Sequence, residues 1–81
     1  DDDLSIKVFP NPTTSLLQIS INSFTDKNYQ LFDITGRLVS QSVLKKTQST
    51  IDLSPFTTGI YLLALYDENN QKIQTYRIIK R

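Results

Sequence analysis

Residues 16–21 read Leu16-Leu17-Gln18-Ile19-Ser20-Ile21. Leu17, Ile19 and Ile21 alternate with Gln18 and Ser20. In an extended chain successive side chains point to opposite faces, so this order puts the three branched apolar residues on one face and the polar pair on the other. A helix would scatter the same residues around its circumference. The stretch therefore predicts a half-buried β-strand.

The flanking sequence repeats this reading with variations. Before it, Leu4 to Phe9 is a second strand-like run, stopped by Pro10-Asn11-Pro12 because proline lacks the N–H that a sheet ladder needs. After it, Asn22 to Lys27 is a polar loop with Phe24 expected to turn inward. Tyr29 to Ile34 and Arg37 to Leu44 are the next two runs. Gly36 between them suits the left-handed backbone of a tight hairpin. Thr50 to Leu53 is a short fifth run, followed by a loop from Ser54 to Gly59. Ile60 to Tyr66 is apolar on both faces, which predicts a central strand covered on both sides. A polar turn, Asp67-Glu68-Asn69-Asn70, leads to the last run, Lys72 to Ile79. Short runs with turn signals at roughly 10-residue spacing predict an all-β fold, a seven-stranded antiparallel Ig-like β-sandwich. Residues 1–4, opening on Asp1-Asp2-Asp3 rather than methionine, read as the end of an upstream linker, and residues 5–81 as a single domain.

Composition narrows the function. The chain has 81 residues, room for one domain with a thin core. Nine basic residues against eight acidic ones give a net charge of +1, too balanced for nucleic-acid binding driven by bulk charge. No apolar run approaches the ~18–20 residues of a membrane-spanning helix. Histidine and cysteine are absent, which removes nucleophilic triads and most zinc sites. The acids outside the first three positions are Asp26, Asp33, Asp52, Asp67 and Glu68. Each falls at a turn or strand edge, where a solvated or turn-capping carboxylate is the ordinary role. The oxygens of Asp67 to Asn70 lack the spacing of a calcium loop, and a hairpin tip uses the same residue types. The two glycines, Gly36 and Gly59, form no phosphate loop. The expectation is a non-enzyme with no catalytic residue, no metal, no cofactor and no small-molecule substrate. Tyr29, Tyr61, Tyr66 and Tyr76 are the candidates for a sugar-stacking strip, although strand tyrosines more often pack half-buried beside a core.

Four blocks in order carry a family resemblance. Val8-Phe9-Pro10-Asn11-Pro12-Thr13, followed by Leu17-Gln18-Ile19, is the first. Leu31-Phe32-Asp33-Ile34-Thr35-Gly36-Arg37-Leu38-Val39 is the second. Ile51-Asp52-Leu53 with Gly59-Ile60-Tyr61-Leu62-Leu63 is the third, and Tyr76-Arg77-Ile78-Ile79-Lys80-Arg81 closes the chain. Together they resemble the C-terminal sorting domains of the type IX secretion system, over nearly the whole length from Leu4 to Arg81. The departure is Arg81, one residue past the lysine on or just after which relatives often end.

The resemblance implies a non-catalytic address attached to an upstream cargo. It implies transit through the periplasm, recognition by the outer-membrane translocon and its shuttle components, and delivery to the cell surface or the medium. It also implies removal by a sortase-like peptidase. The motif residues are Pro10, Asn11, Pro12, Gly36, Gly59 and Tyr61. The residues expected to be read by the translocon are Tyr76, Ile78, Ile79, Lys80 and Arg81, on a terminal strand offering an unpaired edge for strand addition. Cleavage is expected around Asp1, Asp2, Asp3 and Leu4, because only an extended, flexible segment fits a peptidase cleft. The alternative is a passive Ig-like spacer, or a carbohydrate-binding accessory module, of an extracellular enzyme.

Overall fold

The structure, a computed structural model, describes residues 5–22, 26–45 and 47–81. The cleavage region Asp1 to Leu4 and the inward-turned Phe24 lie outside the described residues. Seven strands follow in chain order: β1 (Ile6–Phe9), β2 (Leu16–Ile21), β3 (Lys27–Asp33), β4 (Leu38–Leu44), β5 (Gln48–Asp52), β6 (Gly59–Tyr66) and β7 (Lys72–Lys80). They form two sheets, β1-β2-β5 and β4-β3-β6-β7, with every strand pair antiparallel. This is the predicted sandwich. Relative to the constant-type immunoglobulin order, the fourth strand has joined the other sheet.

The alternation of residues 16–21 works as the sequence reading requires. Leu17, Ile19 and Ile21 are 0%, 1% and 3% exposed, and they face Leu31, Leu63, Leu65 and Ile78 of the opposite sheet in one core. Both long hairpins use one turn design. Asp33 Oδ1 accepts the N–H groups of Thr35 and Arg37, and Gly36 sits at φ 91°. Asp67 Oδ1 accepts those of Asn69 and Gln71, and Asn70 sits at φ 62°. A side-chain acceptor at the first position and a left-handed residue at the fourth is the chemistry of a three-residue hairpin loop. Asp67 thus caps a turn.

Three expectations change. β3 begins at Lys27, two residues earlier than the apolar run, because Lys27 is buried with its Nζ 3.8 Å from Glu68. Ile34 leaves the strand for the turn and is 71% exposed. β6 is covered by the opposite sheet on one face only: Tyr61, Leu63 and Leu65 enter the core, whereas on the outer face the small Ala64 is buried among its neighbours at 3% and Leu62 is 41% exposed. Within the sheet β6 is central, between β3 and β7, so the notion of a central strand holds while that of a covered one does not.

Candidate functional site: the clasped C-terminal strand

The two ends of the domain meet at one edge. Pro10 and Pro12 withdraw their N–H groups, so β1 stops at Phe9, and the chain leaves the three-stranded sheet for the outer edge of β7. Both prolyl bonds, Phe9–Pro10 and Asn11–Pro12, are cis. The Asn11 carboxamide then behaves as a peptide group. Its Nδ2 donates to the Arg77 carbonyl at 2.7 Å, and its Oδ1 accepts the Ile79 N–H at 3.0 Å. Thr13 continues with its own backbone. Its N–H donates to the Ile79 carbonyl at 2.9 Å, and its carbonyl accepts the Arg81 N–H at 2.8 Å, forming a parallel bridge with Lys80. Thr13 Oγ1 donates to the Leu16 carbonyl at 2.6 Å, and the residue is buried.

This contact revises the expected open edge. β7 is an edge strand, but over Arg77 to Arg81 its outward N–H and C=O groups are taken by Asn11 and Thr13. Strand addition onto this half requires the clasp to be displaced. By the alternation of an antiparallel ladder, the open part of the edge is the earlier half, around Ile73 and Thr75.

The terminal residues sort by face. Ile78 is 0% exposed and belongs to the core, and Tyr76 packs half-buried against it. Burial pushes the Tyr76 phenol up from its usual value. Ile79 is half-buried on the outer face, Lys80 is half-buried, and Arg81 is exposed. Of this terminal stretch, Ile79, Lys80 and Arg81 reach the surface of the folded domain, together with the exposed Arg77 that precedes them. Sequence reading passed over Arg77 and Thr13 as site residues. Both lie inside the quoted blocks, but a polar residue in a strand or after a proline carries no periodic signal.

The other motif residues position this end. Gly59 opens β6 at φ 152°, a conformation that glycine adopts without strain. Two residues on, the Tyr61 hydroxyl donates to the Thr57 carbonyl at 2.6 Å, and its ring centroid lies 6.0 Å from that of Phe56. A tyrosine near the start of this strand, bonded to backbone a few residues upstream, also braces immunoglobulin-like sandwiches. Asp33 is held below the ordinary aspartate value of 3.8, first by the Thr35 hydroxyl and then by the Arg37 N–H. Asp52 is lowered mainly by Ser54, with a smaller contribution from Lys80. The tyrosines do not assemble into a strip: Tyr29 and Tyr61 are buried, Tyr76 packs on the core, and only Tyr66 is half-buried on the outer face.

Comparison with known proteins places the chain among its relatives. The chain is 29% identical over 76 residues to Ulvan lyase NLR42 of Nonlabens ulvanivorans, which covers 93% of the chain and 14% of the lyase. It is likewise 29% identical over 76 residues to an endo-acting ulvan lyase of Formosa agariphila, covering 93% of the chain and 15% of that enzyme. The chain thus spans about one-seventh of these relatives. Residues 7–81 match a protein family throughout, so the clasp, both hairpins and the terminal strand all lie inside the match. The chain belongs to the secretion system C-terminal sorting domain family.

Proposed function

We propose that this domain works as a folded address whose readable end is the clasped terminus of β7. Domains of this family are C-terminal secretion signals of the type IX system. In this reading an upstream cargo, covalently attached before residue 5, crosses the periplasm. The outer-membrane translocon and its shuttle components read the domain, and a sortase-like peptidase cuts before β1 at the surface. The relatives named above suggest a polysaccharide lyase as one class of cargo. No residue here is assigned a catalytic role. Asp33, Asp52 and Asp67 hold turn N–H groups, the ordinary work of aspartate at a hairpin.

The observation that carries this reading is the clasp. Asn11 and Thr13 lie 66 to 68 positions from the β7 groups they bond. In the folded domain these bonds hold Arg77, Lys80 and Arg81 in one fixed arrangement, which an unfolded chain would not have. A translocon that engages Lys80 and Arg81 in this arrangement senses the fold through them.

The test uses a fluorescent reporter with a periplasmic signal, fused to residues 1–81 in a type IX-competent bacterium. Deleting 76–81 is a poor probe, because it also removes Ile78 from the core. Lys80→Glu with Arg81→Glu keeps the core. The expected result is surface reporter for the parent domain and folded reporter in the periplasm for the charge reversal. Equal surface delivery of both would overturn the role given to the terminal cations.

A further inference from the structure

The outer face of the four-stranded sheet carries an apolar row that the core does not use. Alternation along the strands turns Phe32, Leu62 and Arg77 to this side, because Leu31, Tyr61, Leu63 and Ile78 enter the core. The pairing Leu38–Phe32–Leu62–Arg77 runs across all four strands. Ile60 and Ile79 form the next pair toward the chain end. Leu38 and Leu62 are each 41% exposed. Such a cluster on one side of a small domain is a mark of an interaction surface.

Charge and position point to the occupant. Arg37, Arg77, Lys80 and Arg81 stand at this end of the sandwich. The carboxylates described at this end are Asp33 and Asp52. Both are engaged by turn backbone, and Asp33 also pairs with Arg37 at 3.2 Å. A second copy laid face to face would set these cations against their like. The upstream chain joins at Ser5, which the register of β1 with β2 places on the other sheet at the opposite end. Cargo therefore attaches away from the row.

We infer that the face formed by Phe32, Leu38, Ile60, Leu62 and Ile79, edged by Arg77, is the surface on which a component of the export machinery docks. That component presents an apolar patch bordered by carboxylates. This inference rests on the function proposed above and adds to it. Recognition spreads from the terminal cations across the sheet, and four of the docking residues, Phe32, Leu38, Ile60 and Leu62, lie outside the last strand. Leu62 stands at the centre of the row, where a desolvated apolar contact contributes most.

The experiment compares Leu38→Gln with Leu62→Gln, as a double variant, against Val43→Gln in the reporter fusion. Val43 is 51% exposed on the same face at the far end of β4. Melting of the isolated domains checks folding; surface substitutions of this kind are expected to shift the midpoint by no more than about 4 °C each, about 8 °C for the double variant. The expected result is surface delivery of the parent and of Val43→Gln, and a roughly tenfold loss for the folded double variant. Equal delivery of the double variant overturns the docking surface and leaves the sorting function standing. A parent domain that is a dimer by sedimentation and becomes a monomer on Leu62→Gln also overturns it, since a second copy would then cover the face. A parent fusion that never reaches the surface overturns the sorting function itself, and the docking surface with it.

Discussion

At the residue scale, a few side chains do the work of backbone. Asn11 is the plainest case, since a carboxamide donates and accepts at once. Asn11→Ala removes both bonds to β7 and is expected to cost about 1–2 kcal/mol, a fall of roughly 4–16 °C in melting temperature. Asn11→Asp is expected to be at least as damaging at neutral pH, because a carboxylate would replace the donor facing the Arg77 carbonyl. Thermal melting of the two variants beside the parent checks the order. Asp33 and Asp52 set the pH response. Both are held below 3.8 in the folded chain, so the folded state releases these protons more readily than the unfolded one. Their contribution to stability is present above pH about 4 and is lost as pH falls through the folded values. The melting temperature is therefore expected to fall below pH about 4, with a shallower fall in Asp33→Asn. An Asp33→Asn profile that superimposes on the parent would contradict this assignment. Gly36→Ala meets nothing within 4 Å, so its cost, about 1 kcal/mol, comes from a φ of 91° alone.

At the scale of elements, strict alternation was the most legible signal. β2 has the bounds its pattern predicts, since each of its inward residues is apolar and each hydrogen-bonded edge has a partner strand. Where a residue's chemistry and its place disagreed, the sequence misled. Buried Lys27 hid the start of β3, and exposed Ile34 extended that run into a turn whose geometry is set by Asp33 and Gly36. Leu62 on the outer face of β6 read as buried because a pattern reports hydrophobicity and not what covers it. The clasp was not legible at all: no periodicity links Asn11 to Ile79. It has a direct consequence for exchange. Asn11→Ala is expected to speed amide hydrogen exchange at Ile79 much more than at Leu63, whose strand stays paired on both sides. Uniform acceleration at both positions would mean that Asn11 supports the fold globally and not the β7 edge. By contrast, Ile78→Ala removes a fully buried side chain and is expected to cost about 2–5 kcal/mol, measurable by denaturant unfolding.

At the scale of the molecule, two thin sheets enclose a single core, and the chain enters at one end and finishes at the other. The segment Pro10 to Thr13 ties the edge of the first sheet to the edge of the second and fixes the backbone of residues 77–81 against it. Such a module needs no active site to serve many cargoes. In the function proposed above, it needs a stable fold, a basic end and a surface that the export machinery can hold. The most direct measurement is protease accessibility of a reporter fused to residues 1–81, on intact cells of a type IX-competent bacterium and of an otherwise identical strain lacking the translocon. The expected result is digestion of the reporter in the first strain and protection in the second. Protection in both strains, with the reporter folded, would contradict a sorting role, and digestion in both would contradict the type IX route.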